Sequence, residues 1–218
     1  MRWLMGIPVT LLALVGVAAS IGHFFNEPYN PGFLEYPLTT AAHVVLGGVY
    51  LALAPLQFVR RIRSRWIGYH RWAGRLLATI GLVVGATAFL MAVAIPFSGW
   101  PERVIVGGFA VFFVVSLVKS ITHIRAGRVA LHREWMIRAF AIGLAIATMR
   151  LIFIPALILA GDPSEELART LSIVSFALAF FVHWAVAEVW IRRTRATDRR
   201  VDSTTAAPQK VAASAASS

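Results

Sequence analysis

Four ionisable side chains lie inside long apolar runs of this chain: His43, Arg150, His183 and Glu188. Placing such a group in hydrocarbon costs about 3 kcal/mol or more, so each is a candidate for function. His70, His123 and His132, with Lys119 nearby, form a second group where apolar runs meet basic segments. Imidazoles on several helices are common ligands of haem iron, and arginines hold acidic groups such as propionates. On that chemistry the cofactor-binding candidates are His43, His70, His123, His132, His183, Arg71, Arg75, Arg138 and Arg150. His70 and His132 are the pair that would ligate the iron of a haem b. The chain has no cysteine, which excludes disulfides, thiolate metal sites and cysteine-ligated iron–sulfur clusters. No phosphate-binding loop, nucleophile elbow, HExxH or dinucleotide fingerprint stands out.

Spacing groups some of these residues. His132 and Arg150 are five helical turns apart and face the same way, with Met136, Gly143 and Ala147 near that face. His43 and Gly47 are one turn apart, as are His70 and Gly74, while Gly81 and Gly85 form a GxxxG pair. Ser172, Ser175 or Ala179, His183 and Ala187 form a stripe of small and polar residues. Small residues beside histidines admit a flat cofactor, and they equally admit close helix packing. Depth separates the pairs. His43 lies roughly 8 Å inside its boundary and His183 roughly 20 Å from the same side, at 1.5 Å per residue. They are poorly matched as two ligands of one haem, whereas His70 with His132 or His123 suits a common depth. Arg150 either neutralises an acidic ligand, such as a propionate, a quinone or a substrate anion, or clamps neighbouring backbone carbonyls. Glu188 and Arg192 are spaced for an ion pair within one helix. His23 and His123 read as headgroup-level residues.

The elements that must position these groups are membrane helices. Of the 218 residues, 58% are hydrophobic and only 14% charged, with a mean hydropathy of +0.72. Soluble domains run at about 45–50% apolar and about 25% charged. Six apolar runs are long enough to span, at about residues 3–21, 38–59, 76–97, 104–121, 135–160 and 170–191. The fold class is therefore an all-α polytopic membrane bundle of about six helices. The first run reads as a retained helix, with a signal peptide ending near Val17-Ala18-Ala19 as the alternative. Arg60 to Arg75 contains six arginines and no carboxylate, which fixes this stretch at the cytoplasmic face. With both termini cytoplasmic, 18 of the 21 Lys and Arg fall inside and only Arg103 and Arg169 outside, Arg150 lying within a span. Topology thus accounts for the net charge of +11, and no nucleic-acid partner is needed. The implied partners are the bilayer, anionic headgroups at the cytoplasmic face, and a quinone or redox partner. The implied location is a cell (inner or plasma) membrane. Residues 194–218 are small and polar, composition that points to a disordered cytoplasmic tail.

Several motifs occur in fixed order: HxxxG at His43–Gly47, AxxPLQFxxRxR at Ala52–Arg63, HRxxGR ending at Arg75, and HREWMIR at His132–Arg138. Together they resemble a family of bacterial membrane proteins catalogued as a domain of unknown function. The resemblance covers roughly Leu38 to Pro155. It implies that His43, Gln57, Arg60, His70, Arg71, Gly74, Arg75, His132, Trp135, Arg138 and Arg150 are signature positions, and it supplies no activity.

Three functions fit these observations. The first is a haem-binding or quinone-reactive redox protein, with His70, His123 and His132 clustered at one side. The second is a non-catalytic assembly or lipid-binding protein whose basic rim grips anionic headgroups. The third is a proton-coupled transporter using His43, Arg150 and His183, which requires a water-accessible cavity.

Overall fold

The computed structural model describes the backbone of residues 2–25, 30 and 32–215, and the side chains of residues 6–25, 30 and 32–196. Glu27, one of the acidic residues of the first connection, lies outside the described residues. Eight α-helices and one 3-10 turn are present, with no strand among the described residues. They are α1 (Arg2–Gly22), α2 (Gly32–Glu35), α3 (Pro37–Leu53), α4 (Arg60–Arg65), α5 (Ile67–Ala94), α6 (Trp100–Arg125), α7 (Val129–Ala160) and α8 (Glu165–Ala215), the 3-10 turn being Ala54–Phe58. Five segments are long and apolar enough to cross a membrane: Pro37–Phe58, Ile67–Ala94, Trp100–Arg125, Val129–Ala160 and Glu165–Ala196. Gly6–Gly22 is a shorter apolar helix. The protein is a polytopic helical bundle.

Local chemistry sets the boundaries. Pro37 and Pro101 sit in the first turns of α3 and α6, where a missing N–H costs nothing. α6 and α7 end before Gly127 and Gly161, whose φ of 71° and 72° suit glycine alone. Pro55 has no N–H to donate, and there the third helix tightens into the 3-10 turn and breaks at the extended Val59.

Several spans are longer than the apolar runs. α5 begins at Ile67, so His70 to Arg75, read above as preceding the run 76–97, sit on its helix, and α7 begins at Val129 and includes His132. Their flanking polar residues are good helix formers that need no hydrocarbon. The backbone of α8 is helical to Ala215.

α7 is the hub, packing against α1, α6 and α8, while α3, α5 and α6 follow one another around it. Its contacts are made by small side chains: Ala139, Ala145 and Ala147 are wholly buried. Ser116 and Ser120 of α6 and Ser175 of α8 are buried as well. The larger residues Leu90, Val111, Leu151 and Val182 are exposed, as lipid-facing residues are. Apolar surface gains nothing by leaving lipid, so membrane helices associate through close packing of small residues. Gly81 and Gly85 illustrate it. A Cβ on Gly81 would lie 2.8 Å from Leu117, and one on Gly85 would lie 2.5 Å from Val114 and 2.9 Å from Phe113. The GxxxG pair is a packing seam between α5 and α6. α1 docks by the same device, Gly16 lying against Leu51 of α3 and Ala147 of α7.

Candidate functional site

At the end of the bundle opposite the arginine-rich stretch, the helices enclose a cavity of about 640 Å³. Its walls come from the C-terminal end of α1, the first half of α3, the second half of α5, the start of α6, the middle of α7 and the start of α8. Most of the lining is apolar: Leu51, Met91, Phe113, Ile146, Phe153 and Phe176 are examples. A small set of polar groups joins them, among them His23, His43, Tyr50, Glu102, Arg150 and Ser172. A large apolar pocket with a few convergent polar groups is how small-molecule sites are usually built.

Arg150 is the exceptional member. It is half-buried on α7, roughly 15 Å from the helix end at 1.5 Å per residue. A guanidinium carries five N–H donors. Here Nη1 donates to the Ile146 carbonyl at 3.5 Å, a long contact one turn back on the same helix. Among the described residues no carboxylate pairs with it. The carbonyl-clamp account therefore uses little of its capacity. His23 and His43 both have Arg150 as a charged neighbour. At His23, which lies beyond α1 and outside the spans, burial and the Arg150 charge lower the pKa below the usual value.

His43 is oriented by α5. Its Nδ1 lies 3.2 Å from the Val84 carbonyl and 3.1 Å from Thr87 Oγ1. The Val84 oxygen can only accept, so the proton belongs on Nδ1 and Nε2 keeps its lone pair for a ligand. The Thr87 hydroxyl is committed to the Val83 and Val84 carbonyls. The Tyr50 hydroxyl, buried in the cavity wall, has no hydrogen-bond partner among the described residues, and its ring stands edge-on to Phe113. Gly47, one turn after His43, would meet nothing within 4 Å if given a Cβ, so it opens onto the cavity. Polar contacts brace the rim. Asn30 Nδ2 donates to the Ile95 carbonyl at 2.7 Å, and Glu102 Oε2 accepts the Ser98 N–H at 2.7 Å. Ser98 Oγ in turn donates to the Arg169 carbonyl at 2.9 Å.

The other candidates lie elsewhere. His70, His123, His132 and His183 are not among the cavity-lining residues. His132 Nδ1 lies 3.1 Å from the Ser120 carbonyl and 2.7 Å from its hydroxyl, which orients the ring. His70 has Arg63, Arg71 and His132 as charged or titratable neighbours, and its Nδ1, like that of His123, is buried without a partner among the described residues. His183 Nε2 is 2.8 Å from Thr148 Oγ1, a link between α8 and α7. Arg138 is engaged: it grips Glu188 through two hydrogen bonds of 2.5 and 3.0 Å and lies over the Trp135 ring. That pairing corrects the expected Glu188–Arg192 ion pair. A bidentate bond across two helices replaces a contact along one, because Glu188 faces α7 and Arg192 is exposed. Glu134 and Arg195 form a second bridge between the same helices. Arg71 and Arg75 are exposed on the first turns of α5.

A family described as "Predicted membrane protein (DUF2306)" matches residues 40–191. The chain belongs to this family. No curated protein and no solved structure matches it. The matched segment takes in His43, Tyr50, Glu102, Arg150 and Ser172 of the DUF2306 cavity, and also the arginine-rich end, while Ser20, His23 and Asn30 precede it. Tyr50, Glu102 and the cavity itself escaped the sequence reading. A tyrosine in an apolar run gives no sign that its hydroxyl will lack a partner, and Glu102 looked like part of an outer turn.

Proposed function

We propose that this DUF2306 protein binds a lipophilic organic anion in its intramembrane cavity, as a receptor or carrier and not as a haem protein. One observation carries the reading: a guanidinium without a carboxylate partner among the described residues, set in the wall of an apolar cavity of about 640 Å³. A buried charge is costly until it is paired, so an anionic head that reaches Arg150 gains what the fold leaves unmet. An apolar body fits the remaining wall, and the lone pair of His43 Nε2 accepts from a hydroxyl or protonated acid. A haem held by His70 and His132 gains less from this geometry, since neither histidine lines the cavity. A quinone would use His43 and Tyr50 but would leave the Arg150 charge unneutralised. At the opposite end, the exposed arginines support a second, separate role in holding anionic headgroups. The resemblance to bacterial proteins and the helical architecture support a bacterial inner membrane, with both termini cytoplasmic.

The test uses cis-parinaric acid, whose fluorescence rises in apolar sites, with its methyl ester as the uncharged control, on detergent-purified protein. A charge-assisted hydrogen bond contributes about 1.5–3 kcal/mol, so Arg150→Gln should weaken the acid by roughly 10- to 100-fold. The ester should bind both proteins alike. Equal affinity of acid and ester for the natural protein would overturn the reading.

A further inference from the structure

The cavity wall carries a second charge that an anionic ligand on Arg150 leaves unused. Glu102 lines the cavity at the start of α6 and is only 8% exposed. Its Oε2 accepts the Ser98 N–H at 2.7 Å, a bond that a neutral glutamine would make as well. The positive end of α6 favours a carboxylate there, but an exposed one would serve that purpose. Burial in the cavity wall is what asks for a cation. The nearby cations are turned elsewhere: Arg103 is exposed, and Arg169 pairs with Glu165 at 2.6 Å and lies over the Phe97 ring. Among the described residues no cation pairs with Glu102 and no carboxylate with Arg150. Glu102 Oε1 and Arg150 Nε and Nη2 have no hydrogen-bond partner among those residues, and packing does not seal them off as it seals the Tyr50 hydroxyl. The two charges sit at different depths. Gly143 of α7 and Phe113 of α6 share a level, since a Cβ on Gly143 would lie 3.9 Å from Phe113 Cε2. At 1.5 Å per residue Arg150 is about 10 Å from that level toward the mouth and Glu102 about 16 Å, roughly 6 Å apart along the bundle.

We infer that the cavity takes a lipophilic zwitterion, whose anion meets Arg150 and whose ammonium, nearer the mouth, meets Glu102. The inference rests on the anion-binding reading of Arg150 and adds a second charged group to the same ligand. Each protein charge then gains a partner in a site of low dielectric, where an unpaired charge is most costly. The apolar chain runs inward past Ile146 and Ile142, and a cavity of about 640 Å³ suits a molecule with one such chain. An N-acylated diamino acid has this chemistry, and so has a single-chain phospholipid with an amine headgroup. The separation of Arg150 and Glu102 favours the first, whose ammonium stands farther from its anion.

The experiment is displacement of cis-parinaric acid from the full-length, detergent-purified protein by Nα-lauroyl-lysine and by Nα-lauroyl-norleucine. The two differ by the ammonium alone. The ratio of their affinities is compared between the natural protein and Glu102→Gln, so that unequal partition into micelles cancels. The glutamine keeps an acceptor for the Ser98 N–H. One charge-assisted contact should make the ratio at least about tenfold more favourable to the lysine compound in the natural protein. Glu102→Asp, which withdraws the carboxylate by one methylene, should lower the ratio part-way and serves if the glutamine variant fails to fold. Arg150→Gln should weaken both compounds together. An unchanged ratio in the Glu102 variants, with both compounds still weakened by Arg150→Gln, overturns the zwitterion and leaves the anion site standing. No weakening of either compound by Arg150→Gln overturns both. Lauroyl lysophosphatidylethanolamine should compete less well than the lysine compound. Tighter binding of that lipid, lost in Glu102→Gln, would uphold the zwitterion and assign its source to the bilayer.

Discussion

Adding one methyl group to α5 or to α3 should have opposite consequences, because Gly85 and Gly47 face different surroundings. A Cβ on Gly85 would come within 2.5 Å of Val114 Cγ2 and 2.9 Å of Phe113 Cδ1. Valine is stiff at χ1 and Phe113 is buried, so neither neighbour yields cheaply. Overpacking of this kind costs about 1–3 kcal/mol, against which alanine regains about 0.5–1 kcal/mol of helix propensity. Gly85→Ala should therefore destabilise by up to about 2.5 kcal/mol. Gly47→Ala meets nothing within 4 Å and should be neutral or stabilising by about 0.5–1 kcal/mol. The assay is unfolding in detergent micelles by titration with a denaturing detergent, followed by tryptophan fluorescence, with both variants at equal protein-to-detergent ratio. Equal stability of the two variants would refute the assignment of Gly81 and Gly85 to a helix seam and of Gly47 to a cavity.

Further outcomes follow from the same geometry. In a double-mutant cycle of Arg138→Met and Glu188→Gln, the coupling should be about 1–3 kcal/mol, since both side chains are largely shielded at 13% and 22% exposure; additive losses would show that the bridge contributes nothing. Because the chain has no cysteine, Arg65→Cys and Asp162→Cys can each be labelled alone, and impermeant maleimide should reach them from opposite sides of an oriented vesicle; labelling from one side would overturn the topology. An absorption spectrum of protein expressed with added haem should show no Soret band, and a band abolished by His132→Ala would restore the haem reading. His23 should titrate below 6.5, its midpoint rising in Arg150→Gln, as followed by NMR. With the folded pKa lowered, the neutral form is favoured on folding, so this contribution is present above pH 6.5 and is lost as pH falls through the folded value. An unchanged midpoint in the variant would remove Arg150 from its surroundings.

The helices were legible because hydrocarbon imposes length and polarity on every span, and proline and glycine marked their turns. The GxxxG at Gly81 and Gly85 and the inward stripe of Ser172, Ser175, Ala179 and Ala187 were equally plain, since a 3.6-residue period fixes which residues share a face. What a face meets is another matter. Glu188 lies one turn from Arg192, yet its partner comes from another helix, and only the packing of α7 against α8 decides between them. Gln57 stood out as a motif residue, but its lack of a hydrogen-bond partner among the described residues goes with a 3-10 turn that no period announces. The cavity was invisible for the same reason: it is made of six helix surfaces, none unusual by itself.

The seat of α1 bears on how the protein is made. Gly16 is synthesised well before one of its two seats, Ala147 of α7. Until α7 inserts, α1 has chiefly α3 and the 3-10 turn after it to rest on. The packing of α1 is therefore completed only when α7 arrives, and such long sequence separation slows the closing step. A nascent chain stalled before α7 should leave α1 open to proteolysis or to crosslinking with lipid, and release of α7 should protect it.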